Sequence, residues 1–165
     1  LWLNFSGALI STKFSYFWLA TWENNYGEKT MIENLHHIGF ATCDLDGAIA
    51  HFESIFGATV LWRSQFADQQ FESALISLGT VRIELLASLA PGSMIDSFIE
   101  NKGEGLHHIS LEVNDFDDVI SDFKAKGLKV IGQTDMENFK AAFIHPKSML
   151  GMLTEIIAPK GSWGR

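Results

Sequence analysis

The chain nearly repeats itself, and that repeat constrains its fold more than any other feature. The segment LHHIGFATCDLDGAIAHFESIFGATV from Leu35 returns as LHHISLEVNDFDDVISDFKAKGLKV from Leu106. His37 and His108 lie 71 positions apart (108 − 37), as do Asp44 and Asp115, Ile49 and Ile120, and Phe52 and Phe123. Further on, Glu84 in RIELL and Glu155 in LTEII keep the same offset (155 − 84 = 71). Unrelated segments rarely hold one register over such a span, so the chain reads as two copies of one supersecondary unit.

Each copy reads as a strand, a helix and three strands. Asp44 is placed to cap a helix in which Leu45, Ala48, Ile49, Phe52 and Phe56 follow helical spacing and which Gly57 ends. Asp115, then Phe116, Val119, Ile120 and Phe123, then Gly127 repeat the pattern. The β-rich stretches 59–66, 72–78 and 81–87, with a turn at Gly79-Thr80, are answered by 129–134, 140–144 and 151–157. Between the copies lies a linker, 88–93, followed by a helical-looking stretch, 94–105. The expected fold is α+β, two tandem βαβββ modules in one domain of residues 31–160, with repeat 1 over about 33–90 and repeat 2 over about 104–158. A length of 165 residues favours one shared core.

Residues 1–30 differ in character. They are aromatic and apolar, but Asn4, Ser6, Ser11, Thr12, Lys13 and Ser15 break the run well short of the roughly 18–20 apolar residues a spanning helix needs. The basic start and small-residue cleavage site of a signal peptide are missing, and Met31 reads as a native start. The segment is expected to be an extension outside the core fold; the alternative is an added strand or dimer-contact arm carrying Trp2, Phe14, Phe17 and Trp18. A net charge of −8 and a pI near 5.1 oppose binding to nucleic acid or anionic membranes. The lone Cys43 cannot form an internal disulfide, which fits a reducing cytoplasm.

Strand alternation separates the two histidines of each HH pair. In LHHISLEV, His107 shares the apolar, helix-covered face with Ile109, Leu111 and Val113, whereas His108 goes with Ser110 and Glu112. In LHHIGFA, His36 goes with Ile38 and Phe40, and His37 with Gly39 and Ala41. Arg82, Glu84 and Leu86 oppose the inward Ile83 and Leu85, and Glu155 departs from Thr154 and Ile156. If the two sheets face one another about a pseudo-twofold axis, His37, Glu84, His108 and Glu155 converge. Two buried carboxylates call for positive charge, which a divalent metal supplies. The donor set suits Co²⁺, Mn²⁺, Ni²⁺, Zn²⁺ or Fe²⁺ without choosing among them.

With LHHIGFA, IELL, GEGLHHISLEV and above all HPKSMLGMLTEI on the page, the chain resembles the methylmalonyl-CoA epimerase family of the vicinal-oxygen-chelate (glyoxalase/bleomycin resistance/dioxygenase) superfamily, from about Glu33 to Pro159. The resemblance implies that the tandem modules form a vicinal-oxygen-chelate cleft and that the same four residues are the metal ligands, with Gln at the Glu84 position in some members. It further implies removal of the α-proton from an acyl-CoA thioester through a metal-stabilised enediolate, its return on the opposite face, and a possible homodimer. Glu155 matches one proton-transfer residue of the family. Glu72 is the nearest match for the other, although QQFESAL lacks the glycine usually found just before it, and a slip of one residue would turn Glu72 away. His145 and Lys147 match the family's HPK, where a polar acyl or CoA part would pass, with Lys140 as a second cation. The segment GQTDMENFKAAF, with Gly132 alone, is shorter and poorer in glycine than the family's substrate-enclosing loop. A glyoxalase I-like lactoylglutathione lyase shares the ligand quartet but tends to carry DPDG where this chain has HPKSMLG; a non-catalytic small-molecule-binding member normally lacks the quartet.

Overall fold

The computed structural model describes residues 30–161, so the expectation for residues 1–30 lies, apart from Thr30, outside the described residues. Strand β1 (Asn34–Thr42), helix α1 (Leu45–Phe56) and strands β2 (Thr59–Phe66), β3 (Phe71–Leu78) and β4 (Val81–Ser88) form the first module. A 3₁₀ turn, Ala67–Gln69, joins β2 to β3. Helix α2 (Met94–Lys102) links it to the second module: β5 (Gly105–Glu112), α3 (Phe116–Ala125), β6 (Val130–Asp135), β7 (Phe139–Ile144) and β8 (Leu153–Pro159).

Local signals set the helix ends. The Asp44 carboxylate accepts from the Gly47 N–H at 2.9 Å, and Gly57 stops α1 in a left-handed conformation (φ 65°) with its N–H turned back to Glu53 and Phe52. Asp115 holds the equivalent place before α3 without a side-chain capping bond to that helix. Among the described residues no helix is long and apolar enough to cross a membrane.

The two expected sheets are one. All eight strands join in the order β2-β3-β4-β1-β5-β8-β7-β6. β1 and β5 run antiparallel at the centre, each with its own module's last strand parallel on its outer side. The pseudo-twofold axis therefore passes between β1 and β5, and the modules are joined through backbone hydrogen bonds rather than by face-to-face packing.

One side of the sheet is covered by the module helices. Leu45 packs with Ala74, Ile76, Ile83 and Leu85 in the first half, and Phe116, Val119 and Ile120 pack with Ala142, Ile144 and Ile156 in the second. Burying each leucine, isoleucine, valine or phenylalanine among them contributes about 1.5–3 kcal/mol. Helix α2 contributes a third cluster, Ile95 and partly buried Phe98 and Ile99 with Ala41 and Leu86. Ala41 and Leu86 share the faces of His37 and Glu84, so α2 covers part of the side that carries the candidate site.

Candidate metal centre and cavity

The four histidines and glutamates singled out by the repeat come from the four central strands. His37 Nε2 and His108 Nε2 approach to 3.0 Å; Glu84 Oε2 lies 3.3 Å from His37 Nε2 and 3.5 Å from His108 Nε2. Together these three residues offer donor atoms within 4.8 Å of one another. Glu155 joins through its Oε2, 3.4 Å from His37 Nε2. Both histidines and Glu155 are buried, and the Glu84 side chain keeps 17% of its exposure.

These separations suit a first-row divalent ion. Ligand atoms about 2.1 Å from one centre stand roughly 3.0–3.4 Å apart across a coordination edge, whether octahedral or tetrahedral. Glu155 Oε2 is buried without a hydrogen-bond donor, which is costly for a carboxylate unless a cation or a proton balances it. Donor chemistry, spacing and the orphaned oxygen all fit a divalent ion. The local partners fit as well: Ser73 Oγ donates to Glu84 Oε1 at 2.7 Å, and Ser110, paired on the ladder with Glu155, lies beside that carboxylate. Gly39 is where the His108 ring rests; a Cβ there would stand 2.2 Å from its Cε1.

The two carboxylates do not have equal proton affinity. Burial works to raise Glu84, but His37, His108 and the Ser73 hydroxyl outweigh it and hold it down at about 2. For Glu155 burial wins, reinforced by the charge of Glu84 against the pull of His37, and its proton affinity is raised. The histidines split likewise. Burial works to lower His37, yet the carboxylates of Glu84 and Glu155 raise it; burial, with His37 and His107 nearby, lowers His108 to about 3 despite Glu84.

A cavity of about 360 Å³ opens over Glu84, His108 and Glu155 of the quartet, walled by Phe66, Phe71, Leu86, Ile95, Phe143 and other apolar side chains, with Gln69 and His107 as further polar points. A second cavity of about 380 Å³ shares His107 and His108 and runs past Lys102, Pro146 and Met152.

Several expected site residues are not brought to this space. Glu72 shares the helix-covered face of β3 with Ala74 and Ile76, whereas Ser73 faces the site; its carboxylate pairs with Arg63 at 3.1 Å, and Arg63 also holds Asp46 of α1. Period-two alternation sends neighbours to opposite faces, so Ser73 reaches the site and Glu72 does not. Lys140 is turned away for the same reason, pairing with Asp117 at 2.6 Å beside the Phe116 ring. His145 caps the 3₁₀ turn Pro146–Ser148, its Nδ1 accepting from the Lys147 N–H at 3.1 Å, and Lys147 is exposed. Of the HPK segment, Pro146 lines the second cavity. The cation along that cavity is Lys102, which the sequence reading passed over because it lies in the linker helix rather than in either repeat. His107, expected on the helix-covered face, lines both cavities instead.

The model of the glyoxalase/bleomycin resistance protein/dioxygenase superfamily matches residues 36–143. An ethylmalonyl-CoA/methylmalonyl-CoA epimerase from Cereibacter sphaeroides is 34% identical over 131 residues, 76% of this chain and 98% of that protein. The crystal structure of methylmalonyl-CoA epimerase from Mycobacterium tuberculosis superposes with a TM-score of 0.75 at 26% identity, covering 81% of this chain and 93% of the other. A Streptomyces coelicolor methylmalonyl-CoA epimerase variant in complex with 2-nitronate-propionyl-CoA superposes with a TM-score of 0.74 at 25% identity, covering 79% of this chain and 99% of the other.

Proposed function

We propose that this chain, which belongs to the glyoxalase/bleomycin resistance protein/dioxygenase superfamily, is a divalent-metal-dependent epimerase that inverts the α-carbon of methylmalonyl-CoA or a related acyl-CoA thioester. The observation that carries this reading is the convergence of His37, Glu84, His108 and Glu155 under an apolar cavity, with one carboxylate held ionised and the other drawn toward its proton. His37, Glu84, His108 and Glu155 would hold the ion, which when bound supplies Lewis-acid stabilisation of the charge that develops on a thioester oxygen.

The remaining work falls to the chain. Phe66, Phe71 and Phe143 exclude water and leave room for a small apolar α-substituent. Glu155, buried and raised in proton affinity, takes or returns the α-proton on one face of the carbon with the carboxylate oxygen that does not hold the ion. Inversion needs a second group on the opposite face, and Glu72 is tied to Arg63 on the other side of the sheet. Gln70, two positions before Glu72, holds a left-handed backbone (φ 58°), the conformation that favours glycine, which supports setting the family glycine there. The carboxylate belonging to that turn is Asp68, whose neighbour Gln69 lines the cavity. Asp68, exposed and next to the cavity-lining Gln69, is accordingly the candidate for the second proton transfer.

Turnover of methylmalonyl-CoA in D₂O tests the reading. The protein should place solvent deuterium at the α-carbon as the stereocentre inverts, with one divalent ion bound per chain. Asp68→Asn should cut turnover by about 10²–10⁴-fold with metal retained, whereas Glu72→Gln should not. An intact metal site without deuterium uptake sinks the epimerase reading and favours the glyoxalase-like lyase.

A further inference from the structure

Each ligand histidine follows another histidine, and strict alternation would put that neighbour on the far side of the sheet. The ladder departs from alternation at these residues. On β1, Leu35 pairs with Leu111 and the next partnered residue is His37, opposite Ser110; His36 is the extra residue. On β5, His108 pairs with Gly39 while Leu106 pairs with Phe40, so His107 is extra. Both first histidines thus sit in β-bulges, and the bulges are themselves related by the repeat (107 − 36 = 71). A bulge breaks the in-out order and re-aims side chains. Its result here is the same in both halves: His36 Nδ1 stands 2.8 Å from His37 Nδ1, and His107 Nδ1 stands 2.9 Å from His108 Nδ1.

We propose that His36 and His107 are positioning residues of the metal centre, each accepting a hydrogen bond on Nδ1 from the Nδ1–H of the ligand histidine that follows it. The inference rests on the reading that the quartet holds a divalent ion. A neutral imidazole that offers its Nε2 lone pair to a metal carries its ring proton on Nδ1. Two Nδ1 atoms less than 3 Å apart share one proton, so the outer ring presents a lone pair there and carries its own proton on Nε2. The pairing fixes the tautomer of His37 and of His108 and leaves both Nε2 atoms bare at the 3.0 Å approach described above. Ring geometry holds the arrangement. His36 and His37 cross at 74°, His107 and His108 at 86°, and Phe98 of α2 braces His107 edge-on at 4.7 Å.

The test reads metal affinity rather than turnover. Zn²⁺ is titrated into the full chain against a chromophoric chelator, with folding checked by near-ultraviolet circular dichroism. His36→Ala and His107→Ala should each weaken Zn²⁺ binding by about 10–100-fold. His36→Asn and His107→Asn should recover most of that loss, because the Asn Oδ1 accepts from nearly the same place as Nδ1. Wild-type affinity in a folded alanine variant would overturn the proposal, and so would asparagine variants as weak as the alanine ones. Should the alanine variants fail to fold, ¹⁵N spectra of the zinc-loaded wild type decide: a proton on Nδ1 of His37 and His108 is expected, and its absence rejects the pairing. The His108→Ala control separates the two layers. Zn²⁺ binding that survives loss of this donor defeats the metal reading itself, whereas binding lost there but unchanged on loss of the outer histidines defeats the positioning alone.

Discussion

The two halves of the molecule each supply one histidine and one glutamate at the same register and then treat the glutamates differently. In the first, Glu84 accepts from Ser73 and lies near both ligand histidines, and its proton affinity falls to about 2. In the second, the ladder puts Ala141 two rungs from Glu155, where the first half has Ser73, and sets Phe143 opposite Glu155 where Leu75 faces Glu84. At Glu155 burial and the charge of Glu84 outweigh the pull of His37 and the Ser110 hydroxyl, and its proton affinity rises. A duplicated scaffold thus yields two carboxylates of opposite proton affinity, which suits the proposed division between a fixed ligand and a proton-exchanging group.

The largest effect should separate those carboxylates directly. Glu155→Gln is expected to lower turnover by about 10²–10⁴-fold, while Glu84→Gln, which keeps an oxygen ligand, stays within about tenfold of the wild type. Deuterium uptake and metal content measured on both variants check this, and equal losses would erase the functional asymmetry. Next comes the pH response of the metal-free protein. His108 is lowered to about 3 and His36 to about 4, so the unfolded chain binds these protons first as pH falls below 6.5. The stability they contribute is complete above 6.5 and drains toward pH 4, with a slope near 1.4 kcal/mol per pH unit for each. His37, raised, acts in the opposite sense: its contribution is present below 6.5 and is lost as pH climbs through its folded value. Urea unfolding between pH 4 and 9 should therefore show both limbs, and a flat acid limb would contradict the burial of His108 and His36.

Smaller effects sharpen the comparison at single atoms. Gly39→Ala drives a methyl into the His108 ring and should cost about 1–3 kcal/mol in denaturant unfolding, together with weaker metal binding. Its repeat mate, Ser110→Ala, removes an oxygen without adding volume and should cost less; the reverse order would mean that the His108 ring does not rest on Gly39. Least of all, Ser73→Ala should cost about 1 kcal/mol and raise the proton affinity of Glu84, read from its carboxyl ¹³C shift against pH. Ala141→Ser should move Glu155 the opposite way, since it adds a hydroxyl at the ladder position that Ser73 holds in the first half. No movement in either would remove Ser73 as the source of the difference.

Much of this was legible in the chain because it depends on local rules repeated twice. The 71-residue offset located both modules and paired His37 with His108 and Glu84 with Glu155; period-two alternation put Glu84 opposite Ile83 and Leu85; Asp44 and Gly57 bounded α1. Tertiary structure decided the rest. That the modules share one sheet depends on β1 meeting β5, a pairing between strands separated by the whole first module. The same pairing creates the bulges at His36 and His107, and alternation, a rule for an unbroken ladder, cannot foresee where a residue drops out of it. That Glu72 lies on the helix-covered face was not legible, because a resemblance carries residue types but not the face a strand residue takes. The unequal proton affinities of Glu84 and Glu155 were beyond the sequence altogether. They arise from burial, from His37, His108 and Ser73 around Glu84 and from the charge of Glu84 beside Glu155, and electrostatic energy depends on distance through space, which position along the chain does not give.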